Sequence, residues 1–167
     1  MQHFRNEELK QELNDVEKLT EERLDVLLAR FLKEFEAGEV EARGWPMHFS
    51  AYKVAKAAMN AYSRVLARKH PELRINCAHP GYVKTDLTRH LGLLTPEEGA
   101  NNVVKVALLP EGDRATGVFF ALGQEALFER QTTTIIMLAT SSLRLRIKDC
   151  CWLLVDVPKE ARGKQGS

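Results

Sequence analysis

Residues 49–81, "FSAYKVAKAAMNAYSRVLARKHPELRINCAHPG", decide how this chain is read. The first two-thirds are rich in Ala, Met, Leu, Lys and Arg, which lose little freedom in a helix. A helix is expected from about Ala51 to Lys69, with Ser50 as its cap. His70-Pro71 ends it, because the residue before proline avoids helical angles. "LRINCAH" at 73–79 then sets Leu73, Ile75 and Cys77 at alternate positions, the period of a strand. Pro80-Gly81 breaks that strand.

Downstream the same alternation continues. Thr95-Pro96-Glu97-Glu98 opens another helix, with threonine as cap and proline in the first turn. Ala100, Val103, Val104 and Ala107 are its expected buried stripe, and Pro110-Glu111-Gly112 its end. "TGVFFAL" at 116–122 reads as a second strand, with Phe119 and Phe120 in the core. Helix, strand, helix, strand over this distance points to α/β architecture with a parallel sheet. Two strands do not make a stable sheet. More strands must come from the tail, or part of the usual domain is absent.

Upstream, residues 7–37 read as helical with a break near Leu19. Thr20 is a good N-cap, with Glu21 and Glu22 in the first turn, where the helix dipole favours acids. Leu24, Leu27, Leu28, Phe31, Leu32 and Phe35 share one face, and Gly38 is a natural stop. "GWPMHF" at 44–49 is a loop. After about Phe128 the character changes. "LRLRIK" at 143–148 suits an edge strand, "CCWLLVDV" at 150–157 another short strand, and "PKEARGKQGS" a disordered end.

The 167 residues suffice for one domain with a real core, and 44% hydrophobic with 28% charged residues is ordinary for a soluble globular protein. The net charge of +1 gives no case for nucleic acid or membrane. Charge is uneven, however: residues 1–43 carry 12 acids against 7 bases, and residues 130–167 carry 7 bases against 3 acids. That basic tail lacks the aromatic interleaving of a nucleic-acid module. Cys77, Cys150 and Cys151 form no disulfide framework, and His79 and His90 have no partners at metal-ligand spacing. A reducing, cytoplasmic compartment is the expectation. The longest apolar run, "IIMLA" at 135–139, is far too short to cross a membrane. Arg64, Arg68 and Lys69 read as the solvated face of their helix.

On a helix, residues four apart share a face, so Tyr52 and Lys56 can present a hydroxyl and an ammonium to one cavity. A nearby cation favours the phenolate, and such a tyrosine can give a proton to a carbonyl oxygen or take one from an alcohol. The ammonium can also hold a ribose. The pair alone is a weak signal; its surroundings are specific.

"SAYKVAKAAMNAYSRVLARKHPELRINCAHPGYVKTDL" resembles the active-site region of the short-chain dehydrogenase/reductase family. It has Tyr-x-x-x-Lys followed by small Ala57 and Ala58, then Arg74-Ile75-Asn76 on a strand, then Pro80-Gly81 and Thr85. The flanking sequence to about residue 128 is similar to the plant carbonyl-reductase branch, which includes menthone and salutaridine reductases. The resemblance implies a partial Rossmann-like, doubly wound parallel fold without its N-terminal nucleotide-binding half. It implies a domain over 1–128, with 7–38 as a helical insertion, and an unrelated tail over 129–167. Tyr52 becomes the catalytic acid/base, Lys56 its tuner and ribose ligand, and Pro80, Gly81, Val83 and Thr85 the lining of the nicotinamide. The implied cofactor is NADP(H), with its site incomplete, and the implied substrate a small ketone or secondary alcohol.

The family's glycine-rich turn is missing, since none of the 10 glycines has that spacing. Its catalytic serine is missing too, and Ser50 is read as a cap rather than a substitute. These gaps lead to the expectation of a truncated chain, inactive by itself. It would be a monomer were the fold complete, and self-association would run through an exposed sheet edge. The rival expectation is a non-catalytic fragment acting as an interaction protein.

Overall fold

The computed structural model describes residues 3–110, 112–127 and 136–140. Four helices, α1 (Glu7–Asn14), α2 (Glu21–Glu36), α3 (Ser50–Lys69) and α4 (Pro96–Ala107), surround a sheet. Its strands are β1 (Arg74–His79), β2 (Phe119–Ala121), β3 (Gln124–Ala126) and β4 (Ile136–Thr140), in the order β3-β2-β1-β4.

β1 and β2 run parallel, as α4 between them requires. The other two pairings are antiparallel, so the sheet is mixed rather than wholly parallel. β3 follows β2 through Leu122-Gly123, both with positive φ (54° and 75°), as in a two-residue hairpin. β4 takes up the run first noted only as too short for a membrane span. It pairs with β1 from Arg74↔Thr140 to Ala78↔Ile136, so the outer strands of the sheet are β3 and β4. "LRLRIK", "CCWLLVDV" and the polar end lie outside the described residues.

The layers follow from side-chain alternation in β1 and β2. Ile75, Cys77 and Phe119 pack with Met59, Leu66 and Ala67 of α3. Ala78 and Phe120 face the other way, onto Val103, Val106 and Ala107 of α4. A second side of α3, Val54, Ala57, Ala58, Ala61 and Val65, packs against Leu9 and Leu13 of α1 and Leu24, Leu27 and Phe31 of α2. The α-helical pair α1–α2 is therefore an outer layer over α3. Trp45, fully buried, closes this layer edge-on to Phe31 at 5.1 Å and donates from Nε1 to Glu34 Oε2 at 2.5 Å.

Helix ends match the sequence signals at three places. The Thr20 side chain accepts from Arg23 N, Thr95 and Glu98 form a reciprocal capping box, and Gly38 terminates α2 at φ 73°. Ser50 does not match. It is the first residue of α3, its Oγ donates to Met47 O at 2.6 Å, and the capping position belongs to Phe49 in a left-handed conformation. The stripe of α4 is also shifted: Gly99, Val103, Val106 and Ala107 are buried, whereas Ala100 and Val104 are exposed. In α2, Leu32 and Phe35 are exposed, because α3 and Trp45 occupy only the narrower face of Leu24, Leu27 and Phe31.

Candidate active site

Tyr52 and Lys56 lie in the first half of α3, both half-buried. Lys56 Nζ stands 5.6 Å from the centroid of the Tyr52 ring, so the i, i+4 spacing does bring the two to one face. β1 runs back along α3. At about 1.5 Å per helical residue and 3.3 Å per strand residue, the end of β1 comes level with the middle of α3. The segment that leaves β1 therefore heads toward Lys56 and Tyr52. Lys56 is also near enough to Cys77 for its charge to act on the thiol.

That segment, residues 80–95, is held by its own backbone. Lys84 N donates to Leu94 O at 2.9 Å, and Leu93 N to Tyr82 O at 2.7 Å. Asn102 Nδ2 of α4 donates to Pro80 O at 3.0 Å. Gly81 has φ 102°, and a Cβ there would meet the Leu94 side chain at 2.4 Å. Val83 packs on Gly99 of α4, and Thr85 N donates to Thr88 Oγ1 at 3.0 Å. Pro80, Gly81, Val83 and Thr85 thus form one braced turn beyond the carboxyl end of β1, the place where α/β sheets bind ligands. Asn76 braces its base: the side chain donates to Ala115 O and accepts from Val118 N.

Behind this face lies a polar seam that the sequence reading did not find. Burial pushes the Cys77 thiol up to about 12, against the opposing hydrogen bond to Ser63 and the charges of Arg64 and Lys56. Its Sγ donates to Ser63 Oγ, which donates to Asn60 O at 2.8 Å. Arg64 is not on a solvated face. It is buried, it donates to Leu13 O at the end of α1, and burial pulls its guanidinium down to about 10. Arg68 donates to Leu19 O at 2.5 Å, and Lys69 pairs with Glu21 at 2.7 Å. The basic run is the clamp that fixes α1 and α2 to α3. Only its spacing, one helical turn from Arg64 to Arg68 on a helix with two apolar sides, hinted at this.

A polar groove of about 420 Å³ between α1 and α2, lined by Glu8, Glu12, Asp15, Lys18 and Arg23 among others, shares no residue with the tyrosine–lysine set. No group of three metal-ligating side chains occurs among the described residues. No described helix is long and apolar enough to cross a membrane.

No protein-family profile matches the chain. Curated relatives do. The chain is 48% identical over 123 residues to short-chain dehydrogenase/reductase 1 of Saponaria officinalis, covering 74% of this chain and 40% of the relative. It is 46% identical over 123 residues to (+)-neomenthol dehydrogenase of Arabidopsis thaliana, covering 42% of that protein. The structure of salutaridine reductase from Papaver somniferum superposes with a TM-score of 0.66 at 43% identity, over 71% of this chain and 40% of that one. The chain corresponds to the C-terminal part of plant short-chain dehydrogenase/reductases. It spans about 40% of the length of the curated relatives it matches. The α/β expectation therefore stands, with a small mixed sheet in place of a parallel one.

A nicotinamide dinucleotide makes two separate demands on the residues present, one at each half. Lys56 offers an ammonium beside Tyr52, and the turn 80–85 offers backbone that approaches closely at Gly81; these suit the nicotinamide and its ribose. The pyrophosphate half has no counterpart among the described residues. The described helices begin after Asn6, Thr20, Phe49 and Thr95, none of them on a glycine-rich turn.

Proposed function

We propose that this chain carries the proton-transfer half of an NADPH-dependent carbonyl reductase. The reaction is hydride transfer between the nicotinamide, which supplies the hydride when bound, and a small ketone or secondary alcohol. The observation that carries the reading is the half-buried Tyr52–Lys56 pair, 5.6 Å apart, on the helix whose surroundings match plant reductases. The Tyr52 hydroxyl gives its proton to the carbonyl oxygen in reduction and takes it back in oxidation. The Lys56 ammonium favours the phenolate and donates to the ribose hydroxyls. Pro80, Gly81, Val83 and Thr85 bound the nicotinamide, chiefly through backbone. The chain by itself binds NADPH poorly and does not turn over, because no helix among the described residues opens on a glycine-rich turn to meet the pyrophosphate.

A chimera tests this reading. The segment of the Arabidopsis relative that matches this chain is replaced by the corresponding residues of this chain, and reduction of menthone-type ketones is followed. The chimera turns over. Tyr52→Phe and Lys56→Met each lower kcat by roughly 100-fold or more, the usual scale of acid–base catalysis. A chimera that binds NADPH and keeps its rate with Tyr52→Phe refutes the assignment.

A further inference from the structure

A strand turns the backbone groups of successive residues to opposite sides, and β1 divides its neighbours accordingly. On one side Cys77 N donates to Val118 O, Gly117 N to Ile75 O and Leu122 N to His79 O. Ile75, Cys77 and His79 therefore direct their backbone groups to the β2 side. Arg74, Asn76 and Ala78 direct theirs to β4, where they lie opposite Thr140, Leu138 and Ile136. The alternation carries across the pair: Ile136, Leu138 and Thr140 face β1, and the N–H and C=O groups of Met137 and Ala139 face outward. Among the described residues no strand pairs with that outer side. α3 and α4 both touch β4, so this edge is the open part of the strand.

Natural sheet edges are kept single by charge, proline, a bulge or brevity. β3, the other outer strand, is only three residues long and carries Glu125. β4 lacks these devices. Its pairing with β1 runs unbroken over all five residues, and residues 131–143 contain no charge, no proline and no glycine. Threonine and isoleucine, which favour strands, make up much of that stretch.

We propose that the outer edge of β4 pairs antiparallel with the same edge of a second copy of this chain, about a twofold axis at Leu138. Met137 of each copy then lies opposite Ala139 of the other, so every outward N–H and C=O of β4 finds a partner. The sheet runs on from one copy into the next by strand addition. The occupant is a second copy because a twofold contact sets each residue near its own counterpart, and this stretch has no charge to repel itself. It also offers no charge by which an acidic or basic peptide would be selected. The same contact at β3 would bring two Glu125 carboxylates together. A twofold contact uses up both edges, so assembly closes at two chains. The inference is independent of the roles given to Tyr52 and Lys56.

The test follows the full chain by sedimentation and light scattering over a range of concentrations. A reversible monomer–dimer equilibrium is expected, with amide exchange at Met137 and Ala139 slowing roughly tenfold or more as the dimer forms. Ala139→Pro removes an outward N–H, so it should weaken the dimer by roughly tenfold or more and leave the monomer's urea midpoint in place. Leu138→Pro removes an N–H that faces β1 and should lower that midpoint. If Ala139→Pro lowers it as well, a cysteine decides. Leu138→Cys, in a background of Cys150→Ser and Cys151→Ser with the buried Cys77 kept, stands opposite its own copy across a non-hydrogen-bonded pair. It should form an interchain disulfide on oxidation, and Gln124→Cys in the same background should not. Four results overturn the proposal: a monomer at every concentration, an open series of larger species, a dimer that Ala139→Pro leaves intact, or equal cross-linking from the two cysteine variants.

Discussion

Replacement of Arg64 gives the sharpest test of how α3 is held. The guanidinium is buried and donates to Leu13 O, one of the carbonyls that the end of α1 leaves without a helical partner. A hydrogen bond from a charged group contributes about 1.5–3 kcal/mol. Against this, burial pulls the group well below the ordinary guanidinium range, down to about 10. At about 1.4 kcal/mol per tenfold change, that disfavours the charge by roughly 3 kcal/mol. The two effects nearly cancel, and the remaining contribution is the aliphatic stem packed at the junction of α1 and α3. Arg64→Met keeps that volume and removes both polar effects, so stability should change by less than about 1 kcal/mol. Arg64→Ala leaves a cavity and costs about 2–4 kcal/mol. The assay is urea unfolding followed by the fluorescence of Trp45, which is fully buried beside Phe31, in a background with Trp152→Phe. If Arg64→Met is as damaging as Arg64→Ala, the charge itself stabilises the junction and the cancellation is wrong.

Three further outcomes are expected. Burial raises the Glu34 carboxyl, but hydrogen bonds from Trp45 and Arg30 and the charges of Arg30 and Arg43 more than offset this, so it sits below its ordinary 4.5. Its stabilising effect is therefore complete above about pH 4.5 and fades as pH falls through the lower folded value. Glu34→Gln should cost about 1–3 kcal/mol at pH 7 and much less near pH 3, a convergence that urea midpoints at the two pH values would reveal. Cys77, its thiol pushed up to about 12, should resist alkylation at pH 8 in the folded chain and react fully in urea; rapid native labelling would contradict its burial. A Cβ at Gly92 would lie 2.1 Å from the Val83 carbonyl carbon. Gly92→Ala should therefore displace the turn 80–95 and expose it to protease, while the far layer around Trp45 keeps its fluorescence.

Much of the fold was legible because local chemistry and tertiary packing agree along α3, β1 and α4. Proline after His70, the alternation 73–77 and the Thr95/Glu98 box each mark a boundary by a short-range mechanism. The tyrosine–lysine pair was legible for the same reason, since four residues of helix fix its geometry. Ser50 misled because a serine before a helix is a good cap only when its backbone is extended; here the strained residue is Phe49 and the serine has turned inward. The outer leucine of α2 misled because periodicity gives a face and not its width.

What the sequence determined by itself was the four helices, the strands β1 and β2 and the pairing of Tyr52 with Lys56, because hydrogen bonds and steric limits within a few residues set them. What only the tertiary structure decided was which neighbours those elements meet. The basic run became a clamp because the end of α1 and the turn before α2 left open carbonyls opposite it. A short apolar run became the strand beside β1 because a buried strand cannot leave its backbone groups unpaired.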